Sequence, residues 1–493
     1  MTNPLFDALI APHRNRSARF AQRPRHETVT YDAYLNMAGR AAHALDAAGL
    51  TPGDRLVVQV AKSVEALAIY AACIARGIVF VPLNTAYTTP EVAYFVGDAT
   101  PSLILCDPAS AAEVEALGPP VLTLAESGTG SFADAMQGKP TQLDPVDRAP
   151  DDLAAFLYTS GTTGRSKGAM LTQQNLLSNA QALVQAWRIT ADDTLIHALP
   201  IFHAHGLFVA INTTLLSGAG MIFLSKFDVD AVLDALPRST TMMGVPTFYT
   251  RLLADDRFTT DATRDMRLFV SGSAPLLAET HRAFEARTGH RILERYGMTE
   301  TGMNASNPYD GERRAGTVGH PLPGVEIRVT ENGAEVAEGK IGMVEVRGPN
   351  VFKGYWQMPD KTAEELAGDG WFTTGDLGQL DADGYLTIVG RQKDLVISGG
   401  FNVYPKEVED VLDAVPGVGE SAVIGVPHPD FGEGVVAILT GTPDMDVVKA
   451  AVSQQLADYK RPKRFVTVDA LPRNTMGKVQ KADLRDRYKD SFA

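Results

Sequence analysis

Leu153-Ala154-Ala155-Phe156-Leu157-Tyr158 is a short apolar run that reads as a buried strand, and Thr159-Ser160-Gly161-Thr162-Thr163-Gly164-Arg165-Ser166-Lys167-Gly168 follows it without a break. The second stretch packs three glycines, five Ser/Thr hydroxyls and two cations into a turn-prone segment. Glycine lets backbone N–H groups crowd around an anion, hydroxyls add donors, and Lys and Arg supply charge, so the composition suits phosphate. A flexible Gly/Ser linker would lack both the strand and the cations. The spacing is Gly161-x-x-Gly164-x-x-Lys167, whereas the P-loop of kinases and GTPases has Gly, four residues, then Gly-Lys-Ser/Thr. A phosphate loop of another kind is expected.

Helical and strand patterns alternate on both sides of that loop. Before it, Ser63 to Ala75 reads as a helix, Ile78 to Pro82 as a strand, Pro90 to Val96 as a helix and Leu103 to Cys106 as a strand. That rhythm predicts α/β layers built on parallel sheet. After it, Leu176, Leu177, Ala180, Leu183, Val184 and Trp187 recur at helical spacing behind Thr172 as N-cap. Between about Gly319 and Gly390 the texture changes to short strands and many turns, which predicts a small β-rich subdomain. From Gln392 a second α/β pattern begins: helix over 405–412, strands over 421–426 and 435–440, helix over 447–456, strand over 465–468 and helix over 481–488. About a hundred residues suffice for a separate small domain. Ala109 to Pro145 reads as variable loop.

A chain of 493 residues is too long for one core, so two or more domains are expected. The formal net charge of −14 argues against non-specific nucleic-acid binding, and small anions must then be held by local cations. Cys73 and Cys106 are the only cysteines, which excludes a disulfide scaffold and fits a reducing cytoplasm. No cationic n-region precedes an apolar run at the N-terminus, and the most apolar stretch, Ala66 to Leu83, is broken by Arg76, Gly77 and Pro82. A cytoplasmic protein without membrane insertion is expected.

Further motifs follow the loop in order: Ser271-Gly272-Ser273-Ala274-Pro275, Tyr296-Gly297-Met298-Thr299-Glu300, Thr374-Gly375-Asp376, Gly390-Arg391-Gln392-Lys393-Asp394, Ser398-Gly399-Gly400 and Pro472-Arg473-Asn474-Thr475-Met476-Gly477-Lys478. This ordered set resembles the acyl-adenylate-forming family of acyl-CoA synthetases, luciferases and peptide-synthetase adenylation domains, over about residues 27 to 488. The resemblance implies a large N-terminal domain of stacked α/β layers plus a distorted β-barrel (residues 1–392) and a small mobile α+β C-terminal domain (residues 393–493). It implies two half-reactions: a carboxylate and ATP give acyl-AMP and pyrophosphate, then the CoA thiol displaces AMP. ATP, Mg²⁺ and CoA are the cofactors so implied.

The roles carried by the resemblance fall on particular residues. Thr159, Ser160, Gly161, Thr162, Thr163, Gly164, Lys167 and Thr299 would contact phosphate, and Glu300 would hold the metal, since a hard cation between phosphates needs an oxygen ligand. Ser273, Ala274, Pro275, Arg295, Tyr296, Gly297 and Met298 would line the nucleotide, with Asp376 and Arg391 on the ribose. Lys478, an ammonium on a flexible stem, would bridge the carboxylate and the α-phosphate. Lys393 would be the hinge that exchanges Lys478 for the Ser398-Gly399-Gly400 loop, which would shape the pantetheine tunnel.

For the acid, the likeness within the family is to malonyl-CoA synthetases. His203 would wall the acyl site, Arg282 would clamp the distal carboxylate of malonate, and Met298 would limit size, leaving weak activity on methylmalonate. A helix residue pairing with Glu279 or Glu285 is the plainer account of Arg282. His203 and His205 form an H-x-H pair without a third ligand at metal spacing, so metal is disfavoured there. A ligase for a short or medium fatty acid or an aryl acid such as coumarate is the alternative. A luciferase-like oxygenase or a peptide-synthetase loading domain has no supporting feature.

Overall fold

The computed structural model describes residues 2–23, 27–159, 166–474 and 477–492. Two large sheets carry the N-terminal part. The strands Arg55–Gln59, Val79–Pro82, Leu103–Cys106, Val121–Thr123 and Leu153–Thr159 run parallel, with Lys167–Thr172 antiparallel at the edge. The second, nine-stranded sheet is parallel through Gly220–Phe223, Thr194–His197, Thr241–Gly244, Leu268–Ser271 and Leu293–Met298. The helix Val64–Arg76 lies in one core that runs from Leu56 and Val58 of the first sheet to Leu195, Met221, Val270 and Leu293 of the second. Its apolar residues cover every side, as a helix enclosed on all sides requires. Ser63 caps it through Ala66 N–H, and Gly77 ends it at φ +63°.

The expected elements appear with boundaries shifted by a few residues. Thr172 caps Gln173–Trp187 in a reciprocal capping box with Asn175. The β-rich segment is a five-stranded antiparallel sheet of Glu326–Glu331, Ala334–Glu335, Gly342–Arg347, Phe372–Leu380 and Leu386–Arg391. The stretch read as loop over 109–145 instead holds the helices Ala111–Glu115 and Ser131–Met136 and the strand Val121–Thr123. Each is short and anchored by one or two apolar side chains, Val114 or Phe132 with Met136, too few to show a period.

After Ile388 no further described residue joins the large core. Val396, Val403, Val423, Val435 and their neighbours form a cluster on one face of the last sheet, and Ala422, Ile424, Val436 and Ile438 form another with Leu484 of the helix Lys481–Tyr488. No helix among the described residues is long and apolar enough to cross a membrane. The parallel strands of the nine-stranded sheet end together at Ser271, Gly244, His197 and Phe223, and the motif-bearing loops leave from that edge, where α/β sheets bind ligands.

Candidate active site

Thr159 and Lys167 sit directly opposite each other across the hairpin of Leu153–Thr159 and Lys167–Thr172, so the glycine-rich loop is the connection of that hairpin, pinned at both ends. Ser160, Gly161, Thr162, Thr163 and Gly164 lie outside the described residues. Lys167 is 8% exposed, and its ammonium lies 3.2 Å from Glu365 Oε1 and 3.9 Å from the centre of the Tyr355 ring. The Tyr355 hydroxyl lies 2.6 Å from Glu365 Oε2 and 3.1 Å from Glu300 Oε1. Glu300 is buried, which raises its pKa, and among the described residues no Lys or Arg forms an ion pair with it. A buried carboxylate short of a counter-cation fits a divalent ion. No cluster of three His, Cys, Asp or Glu stands among the described residues, so such an ion would complete its shell with phosphate and water, as Mg²⁺ does.

The central pair is set by strand register. Asp376 of Phe372–Leu380 faces Arg391 of Leu386–Arg391, with Nε 2.5 Å from Oδ1. The buried Tyr296 hydroxyl donates to Asp376 Oδ2 at 2.5 Å. Arg391 of the adjacent strand and Tyr296 of the nine-stranded sheet thus share one carboxylate. Lys478 enters from the C-terminal part: Asn474 accepts from the Lys478 N–H at 3.0 Å and donates its own N–H to the Lys478 carbonyl. Gly477 takes φ +74° and stands against Thr247 of the helix Pro246–Leu253. Lys478 keeps solvent access, yet burial of its ammonium and then the Arg391 guanidinium lower its pKa, with Asp376 opposing. Lys393 lies exposed in the 3₁₀ turn Gln392–Asp394. Ser398 is buried, while Gly399 (φ +59°) and Gly400 (φ +82°) form an exposed two-residue hairpin tip, a turn that needs positive φ at both positions.

At the acyl end one expectation is overturned. Arg282 is exposed: the helix Ala278–Thr288 buries His281, Phe284 and Thr288, and helical periodicity turns the next position outward. The dry guanidinium is Arg295, which is 5% exposed, with Nε and Nη2 lacking any acceptor among the described residues. Burial lowers its pKa to about 9, so it is still charged at about pH 7. Strand alternation separates it from Glu294, which meets His281 Nδ1 at 3.1 Å and the Gly316 N–H at 3.2 Å. Burial and then Arg295 lower His203 to about 4 and push His205 well below its ordinary value, so both imidazoles are neutral at neutral pH. His203 Nδ1 accepts from the His205 N–H at 3.3 Å, His205 Nδ1 lies 3.2 Å from Ser273 Oγ, and His205 Nε2 has no partner among the described residues. Ser273 itself holds φ +70°, a strained value for a residue with a side chain. Ala274 and Met298 are partly buried, Gly297 likewise, Pro275 is exposed, and Thr299 is partly exposed beside Glu300.

Gly272 makes room for Arg295: a Cβ there would stand 2.3 Å from Arg295 Cζ. Gly272→Ala is expected to displace the guanidinium and lower kcat/KM for the acid about tenfold or more, at an overpacking cost of ~1–3 kcal/mol. Steady-state kinetics beside a melting curve checks this. The dry guanidinium of Arg295, His205 and Glu365 were not assigned these places from sequence. The available signal was the charged pair Glu294-Arg295 directly behind the apolar Ile292-Leu293, near the start of a strand, where the two charges face opposite sides.

The model of the AMP-binding enzyme family matches residues 8–356, and that of the AMP-binding enzyme C-terminal domain matches residues 407–478. The chain belongs to this family. It is an AMP-forming acid–CoA ligase. A feruloyl-CoA synthase of Amycolatopsis is 37% identical, covering 98% of each chain, and a malonate–CoA ligase of Arabidopsis thaliana is 35% identical over 89% of this chain and 78% of its own. ATP-bound MatB from Rhodopseudomonas palustris is 55% identical and covers all of both chains at a TM-score of 0.97; its apo form gives 0.87. The arrangement of this chain is thus nearer the ATP-bound one.

Proposed function

We propose that this ligase activates malonate, giving malonyl-CoA, AMP and pyrophosphate. The observation that carries the reading is Arg295, a buried guanidinium with two unmet donors beside neutral His203 and His205. One fixed positive charge in a dry pocket matches one anionic group beyond the reacting carboxylate. A fatty or aryl acid would leave it unpaired.

The carboxylate needs no general base, because it is ionised at about pH 7; the barrier is repulsion between it and the α-phosphate. Arg295 would hold the distal carboxylate and Lys478 the reacting one, so two cations align a dianion. A carboxylate oxygen attacks the α-phosphorus and pyrophosphate leaves; the CoA sulfur then attacks the acyl carbon and AMP leaves. Asp376, Arg391 and Tyr296 would fix the ribose, and Thr159, Lys167 and Thr299 the phosphates, with Lys167 exchanging Glu365 for phosphate. Mg²⁺, when bound, supplies phosphate neutralisation, and Glu300 is the residue that would hold it. Residues 393–493 would turn about Lys393 between the halves, bringing the Ser398-Gly399-Gly400 tip in for CoA.

A pyrophosphate-release screen over acetate, malonate, methylmalonate, succinate, octanoate and coumarate, with CoA present, tests the substrate. Malonate should lead, with methylmalonate weaker by about 10–200-fold, the worth of one methyl group. A preference for octanoate or coumarate would replace this reading with the fatty or aryl one.

A further inference from the structure

Lys62 lies between the strand Arg55–Gln59 and Ser63, the cap of the Val64–Arg76 helix. Its ammonium meets no carboxylate among the described residues. It stands 2.9 Å from His197 Nδ1, 2.9 Å from the His197 carbonyl oxygen and 4.5 Å from the centre of the Phe223 ring. Burial pushes its pKa well down, and His197, 1% exposed, is pushed down too. An apolar side chain would fill such a place at lower cost, so the lysine calls for another explanation.

His197 Nε2 lies 2.8 Å from the Gly206 carbonyl oxygen, which only accepts, so Nε2 carries the proton. In the neutral ring Nδ1 then accepts, and Lys62 must donate to it. Gly206 is the point where the turn from Pro200 closes: a Cβ there would fall 1.9 Å from the Pro200 carbonyl oxygen. It is also the second residue of the π-helical segment His205–Ile211, a geometry frequent at functional sites. His203 and His205 belong to this turn, and both feel the charge of Arg295.

We propose that Lys62 is a positioning residue for the acyl pocket, which through the Nε2–H tautomer of His197 fixes the Gly206 carbonyl and with it the His203–His205 wall beside Arg295. The chain of contacts links the two large sheets, because Lys62 follows a strand of one and His197 ends a strand of the other. The proposal rests on the reading that this pocket receives the distal anion of the acid.

The test compares Lys62→Met and Lys62→Arg with the wild-type enzyme in pyrophosphate release. Lys62→Met should raise KM for malonate about tenfold, leave KM for ATP within about twofold, and keep the melting temperature; Lys62→Arg, which restores two donors, should recover most of the loss. An unchanged malonate KM, or an equal rise in both constants, overturns the relay. ¹⁵N spectra of the wild-type enzyme give a reading that needs no variant: His197 should show a protonated Nε2 and a bare Nδ1, and the opposite tautomer or a doubly protonated ring overturns the proposal. If the wild-type enzyme ignores malonate, the substrate reading fails by itself. The relay is then judged on the tautomer and on the same KM split with the preferred acid.

Discussion

Lys478→Ala should lower the rate of acyl-AMP formation by about 10³-fold, ~4 kcal/mol of transition-state stabilisation, while thioester formation from supplied acyl-AMP falls no more than a few-fold. The size follows from the charges. A carboxylate and a phosphate approach one another, and the ammonium is the cation that the C-terminal part presents toward Arg391 and Asp376. The split between half-reactions follows from its place: AMP departs as a good leaving group, and a thiol attacking a carbonyl meets no such repulsion. The alanine leaves the backbone undisturbed, because the contacts that shape the loop are the main-chain N–H and carbonyl of residue 478 with Asn474 and the positive φ of Gly477. An unaltered melting temperature should accompany the loss. Pyrophosphate release and AMP release from synthetic acyl-AMP, measured on one preparation, check both halves; equal losses in the two would contradict the role.

The sequence made the scaffold legible because local signals agreed with the fold. Ser63 and Thr172 are capping residues in front of periodic apolar runs, and both cap helices here. The terminal elements from Pro405–Asp413 to Lys481–Tyr488 were readable without a side-chain cap; Val408 and Leu412 keep helical spacing in the first and Leu484 alone is buried in the last. The central pair was readable only through motif likeness: nothing local to Asp376 or Arg391 states that strand register sets them opposite each other. Arg282 shows where such likeness misleads. It lies in a helix near the expected pocket, yet the neighbours at 281, 284 and 288 take the buried face and leave it in solvent. Arg295 was placed with the nucleotide together with its motif neighbour Tyr296; Tyr296 does contact Asp376, but the alternation of the strand sends the two side chains to different sides. Lys62 and Glu365 carried no signal, since their partners His197 and Lys167 are over a hundred residues away and a lone charge in sequence reads as surface.

Arg295→Met should lower kcat/KM for malonate by about 10²–10³-fold, ~3–4 kcal/mol, and lower it far less for acetate or propionate. The thioether stem replaces the guanidinium at similar length, so the pocket keeps its walls and loses its charge. Malonate would then place its distal carboxylate against neutral His203 and His205 without a cation, whereas a monocarboxylate loses nothing. Arg295→Lys should fall between, since an ammonium is a point charge and cannot offer the paired donors of the planar fork. Stability separates this from plain structural damage. In the free enzyme Arg295 is a buried cation whose Nε and Nη2 have no acceptor among the described residues, which works against folding, so Arg295→Met should melt at the same temperature or higher. Malonate should raise the melting temperature of the wild-type enzyme and not that of the variant, because only the former gains a counter-ion on binding. A variant that melts lower and keeps its preference for malonate would show that Arg295 braces the strand Leu293–Met298, and the anionic end of the substrate would have to be held elsewhere.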